Sequence, residues 1–463
     1  MDASPTLADT WRASRPGRIP NVPALPRRPL VGNALEFRKD RLALQARLAD
    51  LGPIARFHMG PLAVHAIADA ALAQAVLVDQ ADAFMKSRGL AVFAKPLLGE
   101  GLLTSEGLDH RRARKLLAPA FAAKRIAGYA TVMAAEAART AAAWNHGASI
   151  DLAEAMMEMT LAIAGRTLFD ADVRGDARAV GAALTDAMQA MLDGLTSPLQ
   201  VPYAWPIPRH QRMRKAVAEL DRIVYRIIGD RRASGGDRGD VLSMLLVAKD
   251  DDGSGLSDKQ VRDEVMTLLL AGHETTANLL TWTFYALGAH PEVRARLEAE
   301  VDALGGQPPT ADDLPRLPYT LAVLEETMRL WPPAYTVGRT ALRDVTIGGH
   351  ALAKGAAVMI NIHAMHRRPD YFPDPLRFDP DRMTPEAKKA RPKGAYLPFG
   401  AGPRVCIGNH FALMEAQLCV AAIVQQARPV LRDTAAPVPE PMITLRPKGG
   451  LPVRIHRRVR GEA

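Results

Sequence analysis

A mainly α-helical fold with a minor β part is what the sequence predicts, on three observations. A helix-type apolar pattern runs almost unbroken from about residue 69 to 330, and strand-like runs are short and lie outside it. One helix within that stretch reaches about 30 residues, or about 45 Å at 1.5 Å per residue. There is no repeat of fixed period and no linker between two cores. Residues 1–463 are therefore expected to form a single domain, with residues 1–20 as a flexible N-terminal segment.

Taken in order, residues 1–30 are Pro-rich and polar. Ile54–Met59 and Leu62–Ala68 flank Gly60-Pro61 and read as a strand pair joined by a turn. The helical stretch that follows breaks near Gly147, Gly175, Pro198–Pro208, Gly235-Gly236 and Asp250–Gly255. Ser257-Asp258-Lys259-Gln260 is a capping box that opens the long helix, and Gly288 and Pro291 close it. Its middle, Leu268 to Ala271, is apolar on nearly every side, which predicts passage through the interior. Ala271-Gly272-His273-Glu274-Thr275-Thr276 sits in that interior. Glycine weakens a helix, and a buried carboxylate is costly unless paired or hydrated, so the segment is locally frustrated, as sites often are. Short strands are expected at about 338–347, 356–361 and 441–455. Between them, His366 to Val405 shows no clear helix or strand. Its aromatic and apolar anchors (Tyr371, Phe372, Phe378, Tyr396, Leu397, Phe399) predict an ordered, buried loop. An apolar helix is expected from about Ile407 to Gln426, which places Cys406 just before a helix N-terminus, where N–H groups and dipole favour a thiolate.

Composition narrows the function classes. With 48% hydrophobic and 24% charged residues the chain is ordinary globular, and two cysteines, Cys406 and Cys419, exclude a disulfide scaffold or a paired-cysteine zinc site. No apolar run approaches the ~18 residues of a membrane span, and the first 30 residues lack the apolar region of a secretory signal. A reducing, cytoplasmic setting is expected. The net charge, 59 − 50 = +9, has no basic run interleaved with aromatics, so nucleic acid is not expected as a partner. Denser basic spots at His110–Lys115 and Lys388–Lys393 read either as solvated faces or as a docking patch for an acidic protein.

A lone cysteine in a Gly-rich loop admits three active readings: nucleophile, redox thiol or metal ligand, the last including a thiolate on heme iron. No histidine is nominated as its base, and Cys419 lies 13 residues on, well inside a helix, where it reads as inert. Phe399-x-x-Gly402-x-Arg404-x-Cys406-x-Gly408 resembles the heme-binding signature of the cytochrome P-450 family. Ala271-Gly272-His273-Glu274-Thr275 is similar to the oxygen-binding groove of that family's central helix. Glu326-Thr327-Met328-Arg329 resembles its E-x-x-R pair, and His366-Arg367-Arg368-Pro369 through Arg382 resembles the segment supplying a further arginine. The four fall in the family's order, and the resemblance spans the chain from about residue 20 to 455.

The resemblance implies heme b (iron protoporphyrin IX) as cofactor and Cys406 as proximal iron ligand. Gly408 and the other loop glycines would allow close approach, and Phe399 would pack beside the porphyrin. Arg404, Arg114, His110 and Arg339 would face the propionates; His110 stands where many members carry Trp. Glu326, Arg329 and Arg382 would form a buried structural network, with Met383 departing from the usual Phe. Thr275 and Glu274 would be the alcohol–acid pair supplying protons for dioxygen reduction. Ala271 and Gly272 would leave room for O2, and His273 would face away. The implied reaction is monooxygenation: O2, two electrons and R–H give R–OH and water. Electrons would come from a separate ferredoxin or flavodoxin with its reductase, since the length leaves no room for a fused module. Arg111, Arg112 and Lys115 would be the docking face, and the chain is expected to be a monomer. Met188, Met191, Leu268, Ala271, Val337 and Met442 would line the pocket, favouring a hydrophobic small molecule such as a fatty acid, terpenoid or steroid-like compound. A peroxide-using or isomerising relative and a non-catalytic heme binder are the rival readings.

Overall fold

The structure, a computed structural model, describes residues 22–197, 201–248, 255–433 and 435–458; the expected flexible segment 1–20 lies outside the described residues. The long helix spans Asp258–Ala289. Both halves of its capping box form: the Ser257 hydroxyl accepts from Gln260 N at 3.3 Å, and Gln260 Oε1 accepts from Ser257 N at 2.8 Å. Pro291 starts the next helix, Pro291–Asp302, so the stop falls where a ring without an N–H is tolerated. The long helix is buried on almost all sides, packed by helices Leu152–Phe169, Pro208–Ser234, Pro318–Leu330 and Asn409–Val424. Two of its hydroxyls bond within it: Thr281 and Thr283 donate to the carbonyls of Ala277 and Leu279 at 2.7 and 2.8 Å.

The β part lies beside the helices. β1 (Ile54–Met59) and β2 (Leu62–Ile67) form the expected hairpin, turning at Gly60 with φ of 59°. β3 (Phe84–Lys86), β5 (Val337–Ala341) and β8 (Ala357–Ile360) complete a five-stranded sheet of order β1-β2-β8-β5-β3, in which only β2 and β8 run parallel. β4 (Ser149–Asp151), β9 (Ala427–Leu431) and β12 (Pro452–Arg457) make a three-stranded sheet. β6 (Val345–Ile347) pairs with β7 (His350–Leu352), and β10 (Pro439–Pro441) with β11 (Leu445–Pro447).

Two expectations need correction. β3 and β4 fall inside the stretch read as almost entirely helical; each is three residues long and exists through pairing with β5 and β12, which no local pattern encodes. The segment 366–405 is not free of regular structure. It contains a helix, Pro385–Ala390, whose Thr384 hydroxyl accepts from Ala387 N, and 3₁₀ turns at Pro380–Met383 and Gly402–Arg404.

That segment is tied down by the E-x-x-R pair. Glu326 and Arg329 are fully buried and meet in two bonds of 2.7 Å. Arg329 also donates to the carbonyls of His366, Pro375 and Arg377 at 2.9, 2.7 and 3.0 Å, and Glu326 accepts from Asp379 N at 2.9 Å. Arg382 joins as an ion pair, Nε lying 3.7 Å from Glu326, while its guanidinium donates to the carbonyls of Pro373 and Asp374. Met383 packs with Phe372 and Ala322. The basic spot at 388–393 is partly spent here, since Lys388 pairs with Glu325 and Arg391 lies over the rings of Phe372 and Tyr396. Among the described residues, no helix is long and apolar enough to cross a membrane.

Candidate active site

Cys406 follows the 3₁₀ turn Gly402–Arg404 and precedes helix Asn409–Val424, for which Gly408 is the N-cap. The turn needs Gly402: at φ of 71°, a Cβ would run into the Leu77 carbonyl. Gly408 is not needed in that way, because a Cβ there would meet only Phe121, at an ordinary 3.6 Å. Cys406 N donates to Phe399 O at 3.0 Å, and Phe399 is half-buried against the core. The Cys406 side chain keeps an exposed face, yet protein crowds it elsewhere. That crowding pushes the thiol above its ordinary range, against the pull of the Gly408 N–H and of Arg114. The helix-terminus effect expected from sequence is therefore outweighed by burial. A ligated metal cation would favour the thiolate here.

Arg114 reaches the same loop, its Nη1 donating to Val405 O at 2.7 Å. His110 lies one turn earlier on helix Gly107–Leu117 and is buried. Burial first, then the cations Lys86, Arg404, Arg114 and Arg339, push it down to about 4, so at neutral pH it is an uncharged donor rather than a cation. Arg339 is buried on β5 and brought down to about 10 by burial and by Arg404. Arg404 pairs with Glu106, but its Nη1 is buried without a partner. Sequence reasoning missed Lys86, which sits opposite Arg339 across β3 and β5. It is buried, donates to Leu102 O and Ser105 O at 2.8 and 2.9 Å, and is lowered to about 7 by burial. Arg404, Arg339 and Lys86 thus gather near Glu106, which also accepts from Lys86 N at 2.8 Å, while Glu264 faces Lys86 and Arg114 lies beside His110. An excess of buried and half-buried cations with an orphaned guanidinium nitrogen is costly unless further anions join it. The two propionates of a heme match that deficit, and the sulfur of Cys406 matches its iron.

On the long helix, Ala271 is exposed and Gly272 and Thr275 are half-buried, although Thr267–Leu270, His273, Glu274 and Thr276–Leu280 are buried. Positions 271, 272 and 275 share one face, so the helix presents an open strip of small side chains and one hydroxyl. The Thr275 hydroxyl donates to Ala271 O at 2.9 Å, which leaves its oxygen lone pairs to accept. Glu274 points elsewhere. Its Oε1 accepts from the Thr444 hydroxyl at 2.5 Å, and Thr444 accepts from Asn278 Nδ2 at 3.0 Å. Burial raises the Glu274 carboxyl above its ordinary range, against Thr444 and Arg446. His273 turns its ring to Leu269 O at 2.8 Å and is neutral, lowered to about 4 by burial. Of the expected pocket residues, Met188, Met191, Leu268 and Met442 are buried in one apolar cluster with the long helix, whereas Val337 packs with the sheet.

The missed residues share a cause. Lys86, Thr444 and Asn278 lie in a three-residue strand, in a tight turn and on a helix flank, and only tertiary contact joins them to the site. The periodic position of Asn278, four residues after Glu274, was the one signal that could have found them.

Comparisons with known proteins agree with this geometry. The Cytochrome P450 family model matches residues 22–451. The chain is 40% identical to cyclooctatin synthase of Streptomyces melanosporofaciens over 92% of this chain and 94% of that protein. It is 37% identical to cyclooctat-9-en-7-ol 5-monooxygenase of the same organism, covering 86% and 87%. Pentalenene oxygenase of Streptomyces avermitilis is 33% identical, covering 94% and 97%. The crystal structure of the cytochrome P450DA heme domain superposes with a TM-score of 0.84 at 30% identity, covering 95% of this chain and 98% of that one. Motif order, cation cluster, fold and relatives converge: the chain belongs to the cytochrome P-450 family and is a heme-thiolate monooxygenase whose cofactor is iron protoporphyrin IX.

Proposed function

We propose that this monooxygenase hydroxylates an alicyclic, largely hydrocarbon molecule of terpenoid type, with electrons from a separate ferredoxin or flavodoxin and its reductase. The open strip of Ala271, Gly272 and Thr275 beside a buried acid carries the reading. The substrate class is supported by the apolar side chains expected to line the pocket, Met188, Met191, Leu268 and Met442, all within the main hydrophobic core, and by the cyclic alcohol after which one relative is named. A hydrocarbon frame would bury against such walls with no polar group left unpaired.

In this reading, heme supplies the redox chemistry that activates dioxygen when it is bound. Cys406 holds the iron, and Phe399 and Gly408 flank the sulfur. Arg114, Arg339 and Arg404 take the propionates, with His110 as an uncharged donor and Lys86 as a further cation. Ala271 and Gly272 keep the helix face low, leaving room for small molecules. The Thr275 oxygen accepts a hydrogen bond from a water and so holds a proton source in place. Glu274, its carboxyl raised above its ordinary range by burial, restores the proton that the water gives up. Arg111, Arg112 and Lys115, exposed on the helix that carries His110 and Arg114, offer the redox partner a basic docking face. We further read the chain as one domain, monomeric and cytoplasmic; the two cysteines are free, as a reducing compartment allows.

The test is a titration of the ferric holoprotein with alicyclic alcohols and hydrocarbons, fatty acids and steroids, reading the heme absorption shift. Product analysis with ferredoxin, reductase and NADPH follows. Alicyclic compounds should give the largest shifts and hydroxylated products, at a rate that falls with salt and in an Arg111→Glu, Lys115→Glu variant. Shifts and products confined to fatty acids would refute the substrate class. Full turnover with peroxide but none with reduced ferredoxin or flavodoxin would refute the electron route.

A further inference from the structure

Glu274 is held from outside its own helix. Its partner Thr444 lies in the turn between β10 and β11, and Asn278 completes the group; the three are 5%, 7% and 2% exposed. A hydroxyl has one hydrogen to give. Asn278 Nδ2 can only donate, so it takes one of the two lone pairs of the Thr444 oxygen, and the hydroxyl hydrogen goes to Glu274 Oε1 in the short bond.

Thr444 is itself placed by backbone bonds on both sides. Leu445 N donates to Pro333 O at 3.0 Å, Trp282 Nε1 donates to Leu445 O at 3.1 Å, and Met442 N donates to Thr444 O at 3.0 Å. The Tyr335 hydroxyl and Arg41 hold the Met442 carbonyl at 2.7 and 3.4 Å. A hydroxyl on so constrained a turn is pre-organised for its partner. Glu274 and Thr275 are consecutive on the helix, about 100° apart at 3.6 residues per turn. The carboxyl therefore rests on the Thr444 side, while the Thr275 oxygen looks into the open strip.

We propose that Thr444, oriented by Asn278, is the positioning residue for the Glu274 acid. This rests on the reading of Glu274 as the group that resupplies protons. Thr444 sets where the carboxyl waits and how firmly it is held before it turns toward the Thr275 face; the proton it releases from a carboxyl oxygen is restored from solvent. Arg446 faces the carboxyl from β11 and is paired with Glu440 at 2.8 Å and with the Thr185 hydroxyl at 3.5 Å. His273 is neutral and turned to its own helix, and Glu415 approaches from helix Asn409–Val424 against Thr276. The only neutral side chain bonded to the Glu274 carboxyl among the described residues is Thr444.

The experiment compares wild type, Thr444→Val, Thr444→Ser and Glu274→Gln as heme-loaded proteins, with Soret absorbance confirming that each is folded. Infrared titration of the ferric form reads the protonated-carboxyl band that Glu274→Gln removes, and turnover reads the fraction of electrons recovered in product. Thr444→Val should shift that band and raise its titration midpoint by about one unit, a tenfold change. It should also lower coupling to product severalfold, and Thr444→Ser should restore all three. If Glu274→Gln lowers coupling while Thr444→Val matches wild type in band, midpoint and coupling, the Thr444 assignment is overturned. If Glu274→Gln couples as well as wild type, the acid reading itself falls, and this inference with it.

Discussion

Arg404 shows how one side chain reports on the cofactor site. Its Nη2 pairs with Glu106 while its Nη1 is buried without a partner, and Lys86, Arg114 and Arg339 crowd the same region. A hydrogen bond from a charged donor is worth about 1.5–3 kcal/mol, and leaving a buried group unpaired costs about as much. If Arg404 gives its second arm to a propionate, Arg404→Leu removes that bond and also takes one ion-pair partner from Glu106. Heme transfer from the variant to an excess of an apo-globin acceptor should then run about 10–100-fold faster than from wild type, the range that 1.5–3 kcal/mol implies. Unchanged transfer would show that the arginine serves Glu106 alone. His110 carries a different lesson. Its position suggested a cation, but four neighbouring cations and burial keep it neutral, a property of the assembled site that spacing alone does not contain.

Among the elements, helix Pro318–Leu330 does the most to hold the irregular segment that leads to Cys406. Arg329 is fully buried, and its guanidinium satisfies three carbonyls of that segment as well as Glu326. Removing one member of such a pair strands the other, at about 3–5 kcal/mol. Glu326→Ala, which also deprives Asp379 N of its acceptor, should lower urea stability of the holoprotein by about that amount. The double variant Glu326→Leu, Arg329→Leu should lose less than the sum of the two single changes, since each removes the other's stranded charge. Equal additive losses would show that the two residues act independently. Elements differ in how far they could be read beforehand. The long helix was legible because its capping box, apolar middle and proline stop are all local. The E-x-x-R pair and the Cys406 loop were legible through residue order. β3 and the β10–β11 turn were not, because three-residue strands exist by pairing, and with them went Lys86 and Thr444. The short helix Pro385–Ala390 escaped notice among prolines and charges, although Thr384 capping Ala387 was a usable signal.

Across the whole molecule, buried titratable groups set opposing slopes of stability against pH. His65, His110 and His273 are lowered to about 4 and His366 to about 3, each mainly by burial. The unfolded chain binds their protons first, so their contribution is intact above pH 6.5 and is lost as pH falls from there toward 4. Glu264 acts the other way. Burial, with Asp263 beside it, raises its carboxyl from 4.5 to about 7, against the Leu102 N–H that it accepts at 2.9 Å and against Lys86. Here the folded state holds the proton more tightly, so stability is lost as pH rises from 4.5 through 7. The two sets partly cancel in wild type and flatten its acid limb. Glu264→Gln keeps an acceptor for Leu102 N but removes the opposing slope. Relative to wild type, the variant should therefore gain about 3 kcal/mol in urea stability between pH 4.5 and pH 7.5, as a carboxyl raised from 4.5 to about 7 implies. Its own stability should fall more steeply than that of wild type as pH drops from 6.5 toward 4.5, because the histidines then act unopposed. Parallel stability curves for the two proteins across that window would mean that Glu264 titrates in the folded protein as it does in the unfolded chain.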